Sequence, residues 1–99
     1  MQYLVITSDT HEINWPAQQA ILADEAKAVW IHIRSGQLRN IWLTEENSDA
    51  VLLFEADNEN DVKSIMDTLP LVNADMISYK IIGLTPYKGL ERLFHGTSK

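Results

Sequence analysis

A short polar link, Glu45-Glu46-Asn47-Ser48-Asp49, joins two apolar runs, Leu38 to Thr44 and Ala50 to Ala56. A link of that length and composition between two such runs signals a hairpin. The hairpin lies between two helical patterns, and this order constrains the fold more than any other feature. Upstream, Pro16 suits the first position of a helix, where its missing N–H is not needed. Leu22, Ala26, Val29 and Ile33 then recur at helical spacing, and Gly36 suits the residue just past the helix end. Downstream, Asp57 and Asn58 are capping residues, Val62, Ile65, Met66 and Leu69 form a second stripe, and Pro70 stops it. A strand at each end, Tyr3 to Thr7 and Met76 to Leu84, completes the order β-α-β-β-α-β.

That order predicts an α+β, ferredoxin-like domain, an antiparallel sheet with both helices on one face. The 99 residues form a single domain, with 1–86 as its core and 87–99 as a C-terminal tail. In the tail, Leu90, Leu93 and Phe94 offer one apolar helical turn. A sheet with one wet face alternates apolar and polar residues, yet Val51-Leu52-Leu53-Phe54 is apolar on both faces. Simple alternation puts Ile41 and Leu43 opposite Leu38 and Trp42, and Ile77, Tyr79 and Ile81 opposite Ile82 and Leu84. The helices cover one face only, so the pattern predicts a homodimer or larger homo-oligomer, a dimeric α+β barrel. A cavity is expected between sheet and helices or between two sheets.

Composition narrows the chemistry. With 8 Lys+Arg against 14 Asp+Glu the net charge is −6, the wrong sign for a protein that neutralises phosphates, so no nucleic-acid partner is expected. Without cysteine there is no disulfide, thiolate nucleophile or thiolate-held metal. The three histidines, His11, His32 and His95, have no metal-ligand spacing, and no glycine-rich phosphate loop or nucleophile elbow occurs, so neither metal nor cofactor is expected. Met1-Gln2-Tyr3-Leu4-Val5-Ile6 lacks the basic start of a signal peptide, and no run is long enough to span a membrane. The expectation is a cytoplasmic protein whose chemistry is cofactor-free proton transfer or none.

Five residues are candidates for a site. Glu25 falls about 75° from the centre of the Leu22 stripe, at the border of core and surface, where partial desolvation raises a carboxyl toward a general base; the alternative is a solvated flank residue. His32, seven residues on, shares that flank and either lines a groove or caps the helix end. Arg39 offers a guanidinium fork to an anionic ligand, or pairs with the acidic stretch from Glu45 to Asp61, which holds no base. Trp42, three residues along the same strand, is a ligand platform or an interface residue. Tyr79 shares the face of Ile77 and Ile81, so its hydroxyl finds a buried partner or lines a pocket.

Ala23-Asp24-Glu25, Arg34-x-Gly36-x-x-Arg39-x-x-Trp42, Leu69-Pro70-Leu71 and Asp75-Met76-Ile77 occur in that order between the first strand and Thr85-Pro86. Together they resemble the muconolactone isomerase family. The resemblance implies a small cytoplasmic dimeric-barrel protein assembled into larger rings. It also implies an enzyme that shifts a double bond in an unsaturated lactone by proton transfer, without metal or organic cofactor. Leu43 stands where that family usually has an arginine, and Asn47 to Leu52 departs from its aromatic strand entry. The leading expectation is a muconolactone-isomerase-like protein acting on a small unsaturated lactone or ring compound, with Glu25 as base and Arg39 as anion anchor. Two alternatives stand beside it. One is a cofactor-independent oxygenase of aromatic polyketides or quinones, with Trp42, Met66 and Phe54 lining its cavity. The other is a non-catalytic, small-molecule-binding or oligomeric scaffold.

Overall fold

The computed structural model describes residues 1–95, so the last four residues of the expected tail lie outside the described residues. Four strands, β1 (Gln2–Asp9), β2 (Leu38–Leu43), β3 (Ala50–Glu55) and β4 (Ile77–Leu84), form one antiparallel sheet in the order β2-β3-β1-β4. Helix α1 (Gln19–Ser35) connects β1 to β2, and α2 (Glu59–Met66) followed by a short turn of helix, α3 (Pro70–Asn73), connects β3 to β4. This is the expected α+β, ferredoxin-like arrangement, in which β3 separates the two strands joined by α1. A final helical turn, α4 (Arg92–His95), follows a 3-10 turn at Lys88–Glu91. No helix among the described residues is long and apolar enough to cross a membrane.

The local chemistry explains where the elements begin and end. Asn58 caps α2 by accepting the Asp61 N–H at 2.9 Å, and Glu59 and Asp61 sit in its first, electropositive turn. Gly36 ends α1 with φ +86°, a conformation that is strained for any residue with a Cβ. The hairpin closes on Thr44, whose hydroxyl accepts the Asp49 N–H while its backbone N–H donates to the Asp49 carbonyl. Pro16 belongs to a separate 3-10 turn, Trp15–Ala17, and α1 starts after the non-helical Gln18.

The core lies between α2 and the sheet. Val5, Phe54, Val62 and Met66 are completely buried, with Leu38 and Leu52 close behind. Two features depart from the sequence reading. First, β2 carries a bulge: Leu38 pairs with Phe54 but Asn40 already pairs with Leu53, leaving Arg39 as an extra residue. The bulge reverses the alternation, so Leu38 shares the helix-covered face with Ile41 and Leu43, and Trp42 is turned to the other face with Asn40. Second, α1 does not present the Leu22, Ala26, Val29, Ile33 stripe. Ala26 and Ile33 are exposed, while the half-buried side comprises Ile21, Leu22, Glu25, Ala28, Val29 and His32. A polar pair within the inward face moved the apparent stripe away from the true one.

The sheet face away from the helices is apolar and uncovered. Leu4, Ile6, Val51, Leu53, Ile82 and Leu84 are half-buried there, and Trp42 is 47% exposed. Tyr87, Leu90, Leu93 and Phe94 of the tail are exposed as well.

Candidate functional site

A cavity of about 400 Å³ opens between α1 and the sheet. Its helical wall is Leu22, Glu25 and Val29, successive turns of the inward face of α1. The sheet supplies Thr7 and Asp9 from the end of β1, with Ile41 and Leu43 from β2. Ser48 and Ala50 of the hairpin, Leu71, Ile77 and the Trp15 indole complete the lining. The bulge at Arg39 matters here, because it turns Ile41 and Leu43 toward the cavity.

Glu25 is the only carboxyl in that cavity held by the backbone. Its Oε1 accepts the Leu71 N–H at 3.0 Å. The donor exists because Pro70 opens α3, which makes the Leu71 N–H one of the first-turn amides that a helix leaves without an internal partner. Burial pushes the Glu25 carboxyl above its ordinary value of 4.5, and the Leu71 hydrogen bond opposes that rise without cancelling it. A half-buried carboxyl with one oxygen anchored and a raised pKa is suited to taking a proton from carbon and giving it back.

Three other polar groups face the cavity. Thr7 is 4% exposed and accepts the Ala50 N–H at 2.9 Å. Asp9 uses one carboxylate oxygen to accept the Trp15 Nε1–H at 3.0 Å, which fixes the indole at the rim. Ser48 lines the wall from a left-handed backbone, φ 56°.

The structure does not bring the other four candidates to this cavity. His32 bonds its Nε2 to the Thr68 hydroxyl at 3.1 Å, and burial of the ring lowers its pKa. Tyr79 keeps the face expected of it, but its hydroxyl donates to Asp67 at 2.7 Å, and Lys63 grips the other oxygen of the same carboxylate at 2.8 Å. Arg39 sits at the bulge. There it adds to the pull on Glu55, whose carboxyl is held low first by a hydrogen bond from the terminal amine. Trp42 looks out from the uncovered sheet face. No group of His, Asp or Glu among the described residues is placed to hold a metal ion.

Asp9, Trp15, Ser48 and the Leu71 amide carry no site signal in the sequence. Pro70 was the available clue, since a proline at a helix start exposes the next amide. Its partner is far away in sequence.

No family profile matches the chain, and no curated protein sequence is significantly similar to it. Solved structures do match. The chain is similar to muconolactone isomerase, with TM-score 0.74 and 16% identity over 90% of this chain and 93% of that one. It is also similar to the 5-chloro-2-hydroxyhydroquinone dehydrochlorinase TftG of Burkholderia phenoliruptrix AC1100, solved with 2,5-dihydroxybenzoquinone. That match has TM-score 0.71 and 13% identity over 89% of this chain and 97% of that one. The fold of this chain is the muconolactone-isomerase-like α+β fold, as the sequence resemblance implied.

Proposed function

We propose that the protein catalyses proton transfer on a small unsaturated ring compound bound between α1 and the sheet, with Glu25 as the base. The observation that carries this reading is Glu25 itself, half-buried on the cavity wall with one oxygen held by Leu71 N–H and a raised pKa. On a β,γ-unsaturated lactone the carboxylate takes the proton from the carbon next to the carbonyl. The C–H electron pair spreads into the ring as a dienolate, and the same carboxyl returns the proton at the γ-carbon. The double bond moves, and nothing else is consumed or released. The two similar structures support a small-molecule-processing member of this fold, since one is named as a lactone isomerase and the other binds a single-ring quinone.

The cavity favours this over the alternatives. Ligand sites span roughly 300–1,000 Å³, so about 400 Å³ suits one ring rather than a fused polyketide. Trp42, Met66 and Phe54 are absent from its lining, which weakens the oxygenase reading. A purely oligomeric scaffold would need neither a ring-sized cavity nor a half-buried carboxyl within it, and a non-catalytic small-molecule-binding protein would need the cavity but not the raised carboxyl. The uncovered apolar sheet face supports pairing with a second copy, and Trp42→Glu should then shift the sedimentation profile toward monomer.

The test uses α-angelica lactone, the uncharged ring of this substrate class, followed by NMR in D₂O. Enzyme-dependent isomerisation, lost in Glu25→Gln, is the expected result. Isomerisation equally fast in Glu25→Gln would remove Glu25 as the base.

A further inference from the structure

Every charged group in the cavity wall is acidic. Glu25 and Asp9 line it, and none of its lining residues is Arg, Lys or His. The chain as a whole carries −6, so no background field offsets those carboxylates. The anion anchor suggested by the sequence, Arg39, lies at the β2 bulge outside the lining. The remaining hydrogen-bonding capacity is mostly accepting. The Trp15 indole N–H is already given to Asp9 Oδ2, and among the described residues the other oxygen of Asp9 has no partner. The exceptions are two hydroxyls, that of the exposed Ser48 on the hairpin and that of Thr7. The Thr7 hydroxyl accepts the Ala50 N–H, and its own O–H proton remains to donate from a side chain that is almost entirely buried.

From this we infer that the cavity selects an uncharged ring bearing hydroxyl groups, with Asp9 accepting a ligand hydroxyl at the rim and Thr7 donating to a ligand oxygen deeper in. Asp9 is thus a specificity-determining residue, distinct from Glu25. A carboxylate ligand would meet two like charges, one half-buried and one at the exposed rim, with no counter-charge among the lining residues, and like-charge juxtaposition is unfavourable. A ring hydroxyl gives the unpaired Asp9 oxygen, exposed at the rim, a hydrogen-bond donor fixed in place. This inference rests on the reading of the same cavity as the reaction site and deepens it.

The test is binding, which does not depend on turnover. Hydroquinone and benzoate, close in size and opposite in charge character, are titrated into the ¹⁵N-labelled full chain. The Trp15 indole N–H reports the Asp9 end and the Leu71 amide reports the Glu25 end. Hydroquinone should shift both signals and bind at least about tenfold more tightly than benzoate. Asp9→Asn should weaken hydroquinone about tenfold while narrowing its advantage over benzoate. Benzoate binding as tightly as hydroquinone in the unaltered protein overturns the inference, and needs no variant to fold. Unchanged hydroquinone affinity in a folded Asp9→Asn protein overturns it equally. Preference for hydroquinone with no lactone isomerisation would refute the proton-transfer reading alone. Isomerisation with a preference for benzoate would refute this inference alone.

Discussion

The two helices on the sheet are seated in opposite ways. Helix α2 has eight residues and buries three of them, Val62, Ile65 and Met66, against Phe54, Leu52 and Val5. Helix α1 is twice as long and buries none of its 17 residues. One side of the layer is close-packed and dry, and the other stands off the sheet far enough to leave a ring-sized cavity. A small domain has little stability to spare, so a hole under one helix requires dense packing under the other. Stability is concentrated at α2, and the chemistry is concentrated at α1.

The largest expected effect separates the two sides by function. Glu25→Gln should lower lactone isomerisation by about 10²–10⁴-fold, the usual worth of a general base, without lowering the thermal midpoint. Loss of activity together with loss of folding would make Glu25 a structural residue and break the division.

Next comes stability. Phe54→Ala should cost about 3–5 kcal/mol and Met66→Ala about 2–5 kcal/mol in urea unfolding, since each leaves a closed void. Val29→Ala on the cavity wall should cost about 1 kcal/mol or less, because the space it leaves joins an existing opening. Comparable losses on the two sides would mean that α1 is as tightly packed as α2. A smaller effect is expected at Gly36, where an added Cβ meets nothing within 4 Å but the backbone φ of +86° disfavours it. Gly36→Ala should cost about 1 kcal/mol through conformation alone.

The smallest effect is on pH dependence, and its sign follows from burial. A carboxyl raised above 4.5 in the folded state binds its proton more tightly there than in the unfolded chain. Stability from this group therefore falls as pH rises from the unfolded toward the folded value, and stays lower above it. Glu25→Gln removes that penalty. The variant should unfold at a slightly higher temperature than the natural chain at pH 7, and the gap should close by about pH 4. A gap of the opposite sign would mean that the ionised carboxylate is stabilised by its surroundings.

The α2 side was legible in the sequence except at its end, because α2 stops at Met66 and Pro70 opens α3 instead of closing a helix that includes Leu69. Asn58, the Val62-Ile65-Met66 stripe and the hairpin runs act through neighbours a few residues apart, and periodicity reports such neighbours directly. The α1 side was legible only in part. Glu25 stood out, but as a border residue, because its polarity disguised the inward face that includes it. The bulge at Arg39 is one extra residue in an otherwise regular strand. Nothing in Leu38-Arg39-Asn40 announces it, yet it decides that Ile41 and Leu43 line the cavity and that Trp42 does not. Contacts such as Leu71 to Glu25 and Ala50 to Thr7 join residues distant along the chain, and no local pattern encodes them.

The central claim is that Glu25 is a raised carboxyl facing a ligand-sized cavity. The Leu71 amide, hydrogen-bonded to it at 3.0 Å, reports its ionisation directly in an NMR pH titration. A midpoint above 4.5 that moves when hydroquinone fills the cavity is the predicted result. A midpoint at or below 4.5, indifferent to saturating hydroquinone, would contradict the account.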